Sequence, residues 1–251
     1  MTAARQTAVG LTLAALIVAA WLALHLWGVF LHRWTPLGIA VAPVIVAALS
    51  WLGAGLFIVA HDAMHGSLAP GRPGVNRAVG QLALGIYAAF PFGALNAKHH
   101  AHHRAPGSAD DPDFHAERPT AFLAWYARFF GTYFGWRQLA VICGVLALYV
   151  ALGASILNAA VFWGLPSILS SLQLFTFGTW LPHRHDGRAF ADRHNARSNE
   201  LGWLASLLTC FHFGYHREHH LQPGVPWWRL PAVRAERRRS SSGMDAASPA
   251  V

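Results

Sequence analysis

Three stretches without a single charged side chain govern what this 251-residue chain can fold into: residues 6–32, 34–60 and 138–181. A bilayer core is crossed by ~20 apolar residues rising ~1.5 Å each. The first two stretches each suffice for one crossing. The third is long enough for two, with a tight turn near Gly153 to Asn158. Charged residues make up only 12% of the chain, about half the share usual in soluble domains. The expectation is an all-α integral membrane protein with four transmembrane helices in two hairpins. Residues 1–239 form one membrane-embedded domain, and residues 240–251 form a disordered tail. The N-terminal MTAARQTAVGLTLAALIVAA has the Arg and the apolar run of a signal peptide. The run continues through WLALHLWGVFL without a small-residue cleavage site, so it reads as a retained first span.

The net charge of +8 is not a nucleic-acid signal, because the basic residues follow topology. Arg33 is the only Lys or Arg between the first two spans, and the 138–181 stretch has none. Arg5 precedes the first span, and the remainder lie between Arg72 and Arg137 or between Arg184 and Arg239. The positive-inside rule places both termini and both long polar segments in the cytoplasm. Cys143 and Cys210 fall in apolar surroundings and form neither a CxxC motif nor a disulfide framework. Trp227 and Trp228 read as an aromatic belt at the membrane surface.

All of the 16 histidines except His25 and His32 lie in the two cytoplasmic segments. His25 is a lone histidine in the first span, where helix packing is the plainer reading. Three clusters stand out. HDAMH supplies His61 and His65, HHAHH supplies His99, His102 and His103, and HREHH supplies His216, His219 and His220. Positions i, i+3 and i+4 of a helix share one face, which leaves His100 off that face. Eight converging imidazoles are too many for one ion and suit two. Neutral imidazole ligates iron, zinc, copper and nickel alike, so the ligands alone do not choose the metal. Residues 78–97 are charge-free and about long enough to cross. A crossing would separate His99 from His61, so this segment is expected to be re-entrant or interfacial, broken at Pro91 and Gly93.

The three clusters around two hydrophobic hairpins resemble the membrane fatty acid desaturase/hydroxylase superfamily. HDAMHGSLAPGRP, HHAHHRAPGSADDPDFH, FGTWLPHRH, DRHNARS, CFHFGYHREHH and PWWRLP are most similar to the wording of its bacterial β-carotene ketolases. The resemblance implies two Fe2+ ions at the cytosolic end of a four-helix bundle, O2 as co-substrate, and oxidation of C4 on a β-ionone ring. It implies a further ligand between the last span and the third cluster. His183 is the first choice, His194 the second, and His185 and His212 are the remaining candidates. His212 would share a face with His216 if that helix extends upstream. Asp62 and Asp113 are the carboxylates expected to hold ligand N–H groups. Asp110 and Asp111 read as turn residues, and Glu218 also stands beside a cluster. No substrate-contact residues can be assigned, although Phe57, Tyr87, Phe90, Phe175 and Phe177 are candidates to line a groove. No nicotinamide, flavin or haem motif appears, so electrons are expected from a partner such as ferredoxin. Carotenoid 3-hydroxylases and fatty acyl desaturases share the scaffold. A zinc hydrolase would lack the redox chemistry, and a metal transporter would place its ligands near the bilayer midplane.

Overall fold

The computed structural model describes the backbone of residues 1–246 and the side chains of residues 1–240. Helices make up all the regular structure among the described residues. α1 (Ala3–Leu26) runs on through a wide turn at Trp27–Leu31. α2 spans Pro36–Met64; the Thr35 hydroxyl accepts the Gly38 N–H at 3.1 Å, and Pro36 opens the first turn. α3 (Pro73–Ala88) and α4 (Phe92–Arg104) meet at 98°, and α5 (Phe122–Tyr133) and α6 (Trp136–Ala151) meet at 79°. α7 (Ile156–His183) contains two wide turns, and α8 (Trp203–Cys210), α9 (His216–Leu221) and α10 (Leu230–Ala246) complete the chain.

Among the described residues, α1 with its extension, α2 and α7 are each long and apolar enough to cross a membrane, and counting each bent pair as one span brings the total to five. Leu37, Val44, Leu123, Leu139, Leu148 and Leu157 point outward, which water would penalise and lipid would not. The apolar stretch after residue 138 does fold as two helices, with Gly153 at φ +92° in the turn. The break between α3 and α4 falls at residues 89–91, where Ala89 takes a left-handed conformation; Gly93 lies inside α4. Small residues let the long helices approach. A Cβ on Gly53 of α2 would meet Ser170 of α7 at 3.2 Å.

Two further expectations change. Residues 240–246 continue α10 as helix, because an established helix adds a hydrogen bond for each residue it fixes; residues 247–251 lie outside the described residues. Trp227 is buried, not on a surface belt. Its backbone N–H donates to Asp62 Oδ2 at 3.1 Å, and its ring packs on Phe211 at 5.2 Å. Trp228 packs beside Gly10 of α1. The PWWR segment therefore closes the bundle end.

Candidate metal centre

The C-terminal ends of α2 and α7 come together with α4 and α9 at one end of the bundle. Nine histidines meet there in two groups. His61, His65, His99, His103 and His219 bring ring nitrogens within 4.8 Å of one another, and so do His102, His183, His216 and His220. These nine are the histidines expected from the sequence, His183 included. The H-x-x-H-H spacing divides its rings between the groups. On α4 the i, i+4 pair His99 and His103 joins the first group and His102 joins the second. On α9 the pair His216 and His220 joins the second group and His219 joins the first. Each helix thus gives a pair to one group and a single ring to the other.

The rings face inward through Nε2. His219 Nε2 stands 3.1 Å from His61 Nε2 and 3.0 Å from His103 Nε2. His220 Nε2 stands 3.2 Å from His102 Nε2 and 3.0 Å from His216 Nε2. His65 and His99 approach to 2.6 Å. Two outer hydrogen bonds fix the protonation. His102 Nδ1–H donates to both Asp111 oxygens, at 2.9 and 3.0 Å, and His183 Nδ1–H donates to the Asn195 carbonyl at 2.8 Å. Each neutral ring has one N–H, so Nε2 of both rings is a bare lone pair. His183 Nε2 is buried without a partner. Bare nitrogens crowded this closely repel unless a cation stands among them, so the donor set fits bound metal.

The sequence pattern of the fatty acid desaturase family matches residues 33–140 and 131–246. The chain belongs to the fatty acid desaturase family. Two β-carotene ketolases from Paracoccus strains are 52% and 49% identical to it, over 92% and 91% of this chain and 94% and 93% of their own. A β-carotene ketolase of Haematococcus lacustris is 35% identical over 90% of this chain and 78% of its own length.

Within this desaturase-family chain, the residues around the histidines differ in their contacts. The carboxylate that touches His102 is Asp111, which the sequence reading gave to a turn. It does both, because its oxygens also accept the Gly107 and Asp113 N–H groups at 2.8 Å each. Burial opposes its ionisation, but the hydrogen bonds from His102, Gly107 and Asp113 hold its pKa below the ordinary carboxylate value. Asp113 Oδ2 is 3.8 Å from His102 Nδ1, beyond hydrogen-bond range, and its Oδ1 accepts the Tyr133 hydroxyl instead. Burial pushes Asp113 up to about 6. Asp62 stands 3.8 Å from His61 Nδ1 and anchors Trp227. His194 and His212 belong to neither group. The His194 ring centroid is 5.9 Å from that of His220. His212 misses the shared face because α8 stops at Cys210 and His212 takes φ +61°, so its ring packs against Trp203, Tyr215 and Trp227. His185 packs at a tilt against Phe114 and Phe190, with ring centroids 4.8 and 5.1 Å apart. His100 also stands outside both groups.

Glu218, one position before His219, faces away from the rings. It accepts the Ser198 hydroxyl and pairs with Arg234 Nη1 at 3.3 Å, both charges nearly buried. This pair ties α10 to the helix that carries the third cluster. Arg234 Nη2 also donates to Glu200 at 2.8 Å, so losing Glu218 leaves the guanidinium one partner and costs less than the ~3 kcal/mol of a fully broken buried pair. Glu218→Ala is expected to lower the unfolding temperature in detergent by roughly 5 °C. Glu218→Met combined with Arg234→Leu should recover most of that loss. Differential scanning fluorimetry checks both.

A cavity of about 640 Å³ opens from the histidines into the bundle. Phe57, Tyr87 and Phe90 line it as expected. Phe175 and Phe177 do not. Phe175 turns instead toward α5, packing on Phe122, Tyr126 and Phe129. His61, His99, His102 and His216 form the cavity's polar end, and Phe213 sits beside them, pressed against Gly178 so closely that a Cβ there would lie 2.2 Å from its ring.

Proposed function

We propose that this chain is a carotenoid ketolase that converts the C4 methylene of a β-ionone ring into a ketone, taking β-carotene to echinenone and then canthaxanthin. The observation that carries this reading is the junction of an apolar cavity with two clusters of inward-facing imidazoles, in a chain about half identical to two Paracoccus β-carotene ketolases. His61, His65, His99, His103 and His219 would hold one iron ion, and His102, His183, His216 and His220 the other. Two bound Fe2+ ions would supply the reducing and O2-activating chemistry that zinc lacks.

The chain's own residues carry the rest. The apolar walls admit a membrane-dissolved polyene and place one ring beside the histidines. They keep water from the reacting carbon. Asp111 and the Asn195 carbonyl hold His102 and His183 in the tautomer that turns Nε2 inward. Each of two hydroxylations at C4 consumes one O2, two electrons and two protons and releases one water; the resulting gem-diol loses a further water to give the ketone. Ferredoxin is the proposed electron donor, and the basic cytoplasmic segments suit an acidic partner. The proposed topology is one membrane-embedded unit of residues 1–239 with four spans, α3 and α4 forming a re-entrant segment. Both termini and the centre lie on the cytoplasmic side of the inner membrane. That topology keeps α2's last turn and α4 on one side of the bilayer, as a shared centre requires.

Expression in a β-carotene-producing bacterium is the test. Pigment carrying conjugated ring ketones, read by chromatography with absorption and mass detection, is the expected result. Ring alcohols without ketone would make the chain a hydroxylase. Unchanged carotene from folded, iron-loaded protein would end the carotenoid reading.

A further inference from the structure

The cavity has two ends, and the histidine centre occupies only one of them. Along α7 the wall runs from Ile156 to Thr179, roughly 34 Å at ~1.5 Å per residue. The Thr179 end lies beside the centre. At the other end His25 Nε2 and the Tyr149 hydroxyl stand 3.0 Å apart, and both side chains line the cavity. Both rings pack on Trp163, at 5.9 and 5.4 Å, a position about 24 Å from Thr179 by the same rise. His25 is 1% exposed, and its Nδ1 has no hydrogen-bond partner. Between this pair and the centre the α7 wall offers only Ser167 and Ser171 as polar side chains, so the pair is the strongest hydrogen-bonding feature at its end of the cavity.

A rod-shaped polyene with a ring at each end fits this arrangement. With one ring at the centre, the other reaches the His25–Tyr149 end. We infer that this pair is a binding subsite for an oxygen function, ketone or hydroxyl, on the ring distal to the one being oxidised. This rests on the ketolase reading. The pair can serve either group. With its proton on Nε2, His25 donates to the Tyr149 oxygen and frees the phenolic O–H for a ligand carbonyl. With its proton on Nδ1, it accepts from Tyr149, whose oxygen then accepts from a ligand hydroxyl. After the first ring is oxidised, the product re-enters reversed. Its ketone meets Tyr149 while the fresh ring meets the centre. The subsite therefore favours the second ketone over the first and drives the product toward the diketo form. A pair that served only to pack α1 against α6 would affect all carotenoids alike.

The test compares β-carotene with its monoketo derivative on the full-length chain in detergent micelles. Quenching of intrinsic tryptophan fluorescence, to which Trp21 and Trp163 at this end contribute, gives both Kd values without turnover. The wild-type chain should bind the monoketo compound more tightly. Tyr149→Phe should shrink that preference about tenfold, the loss of one good hydrogen bond, and the ratio of the two kcat/KM values should fall in step. His25→Gln, which keeps a polar partner for Tyr149, should retain more of the preference than His25→Phe, which leaves the Tyr149 hydroxyl unheld. An unchanged ratio in Tyr149→Phe, or equal weakening of both ligands, overturns the subsite while leaving the ketolase reading intact. A wild-type chain that binds neither compound overturns both.

Discussion

His219→Ala should abolish ketone formation and strip metal from the centre. His219 stands between His61 and His103, its Nε2 near 3 Å from each, and it is the only ring that α9 gives to the first group. Its loss removes α9 from that site and leaves only rings of α2 and α4 there. Partners that merely orient a ligand are worth 10–100-fold, so loss of the ligand itself should reduce product by roughly 100-fold or more. Pigment analysis reads the activity, and iron per purified chain reads the site. His100→Ala is the control. It lies in the same tract but in neither group, so iron content should hold. Equal losses in the two variants would mean that the tract acts through helix stability or charge and not through ligation.

Asp111→Asn should have the second-largest effect, a fall of about 10–100-fold in metal affinity and activity. The carboxylate takes the His102 Nδ1–H and leaves Nε2 bare. An amide can turn its NH2 toward Nδ1, which favours the tautomer carrying the proton on Nε2, and that nitrogen no longer binds metal. Asp113→Asn should do less to metal retention, because Asp113 is 3.8 Å from the ring and is held by Tyr133. Chelator competition on the purified protein separates the two. If Asp113→Asn proves the more damaging to metal retention, the ranking drawn from these distances is wrong.

Much of this architecture was legible in the sequence because its signals are periodic. Charge-free runs mark helices that face lipid, and histidines at i, i+3 and i+4 mark one helical face. His183 was legible only through the family resemblance and its place at the exit of the last span. What stayed hidden depends on tertiary placement. DDPDFH offers three carboxylates within four positions, and only the loop path puts Asp111 under His102. The group that holds His183 is a backbone carbonyl, that of Asn195, which no side-chain pattern can announce. His212 looked aligned with His216 on the premise of a continuous helix, and left-handed turns at Phe211 and His212 break that premise. Trp227 and Trp228 read as interfacial by type, yet Asp62 draws the Trp227 backbone inward. His25 read as packing glue until the cavity beside it was visible.

The proposed function requires that the nine imidazoles from α2, α4, α7 and α9 hold two iron ions. The most direct test is the metal content of the full-length chain, purified anaerobically from iron-replete cells and counted by mass spectrometry against protein concentration. Two iron ions per chain are expected, falling in His65→Ala, which touches only the first group, and in His183→Ala, which touches only the second. A single ion per chain, or zinc retained in place of iron under these conditions, would contradict it.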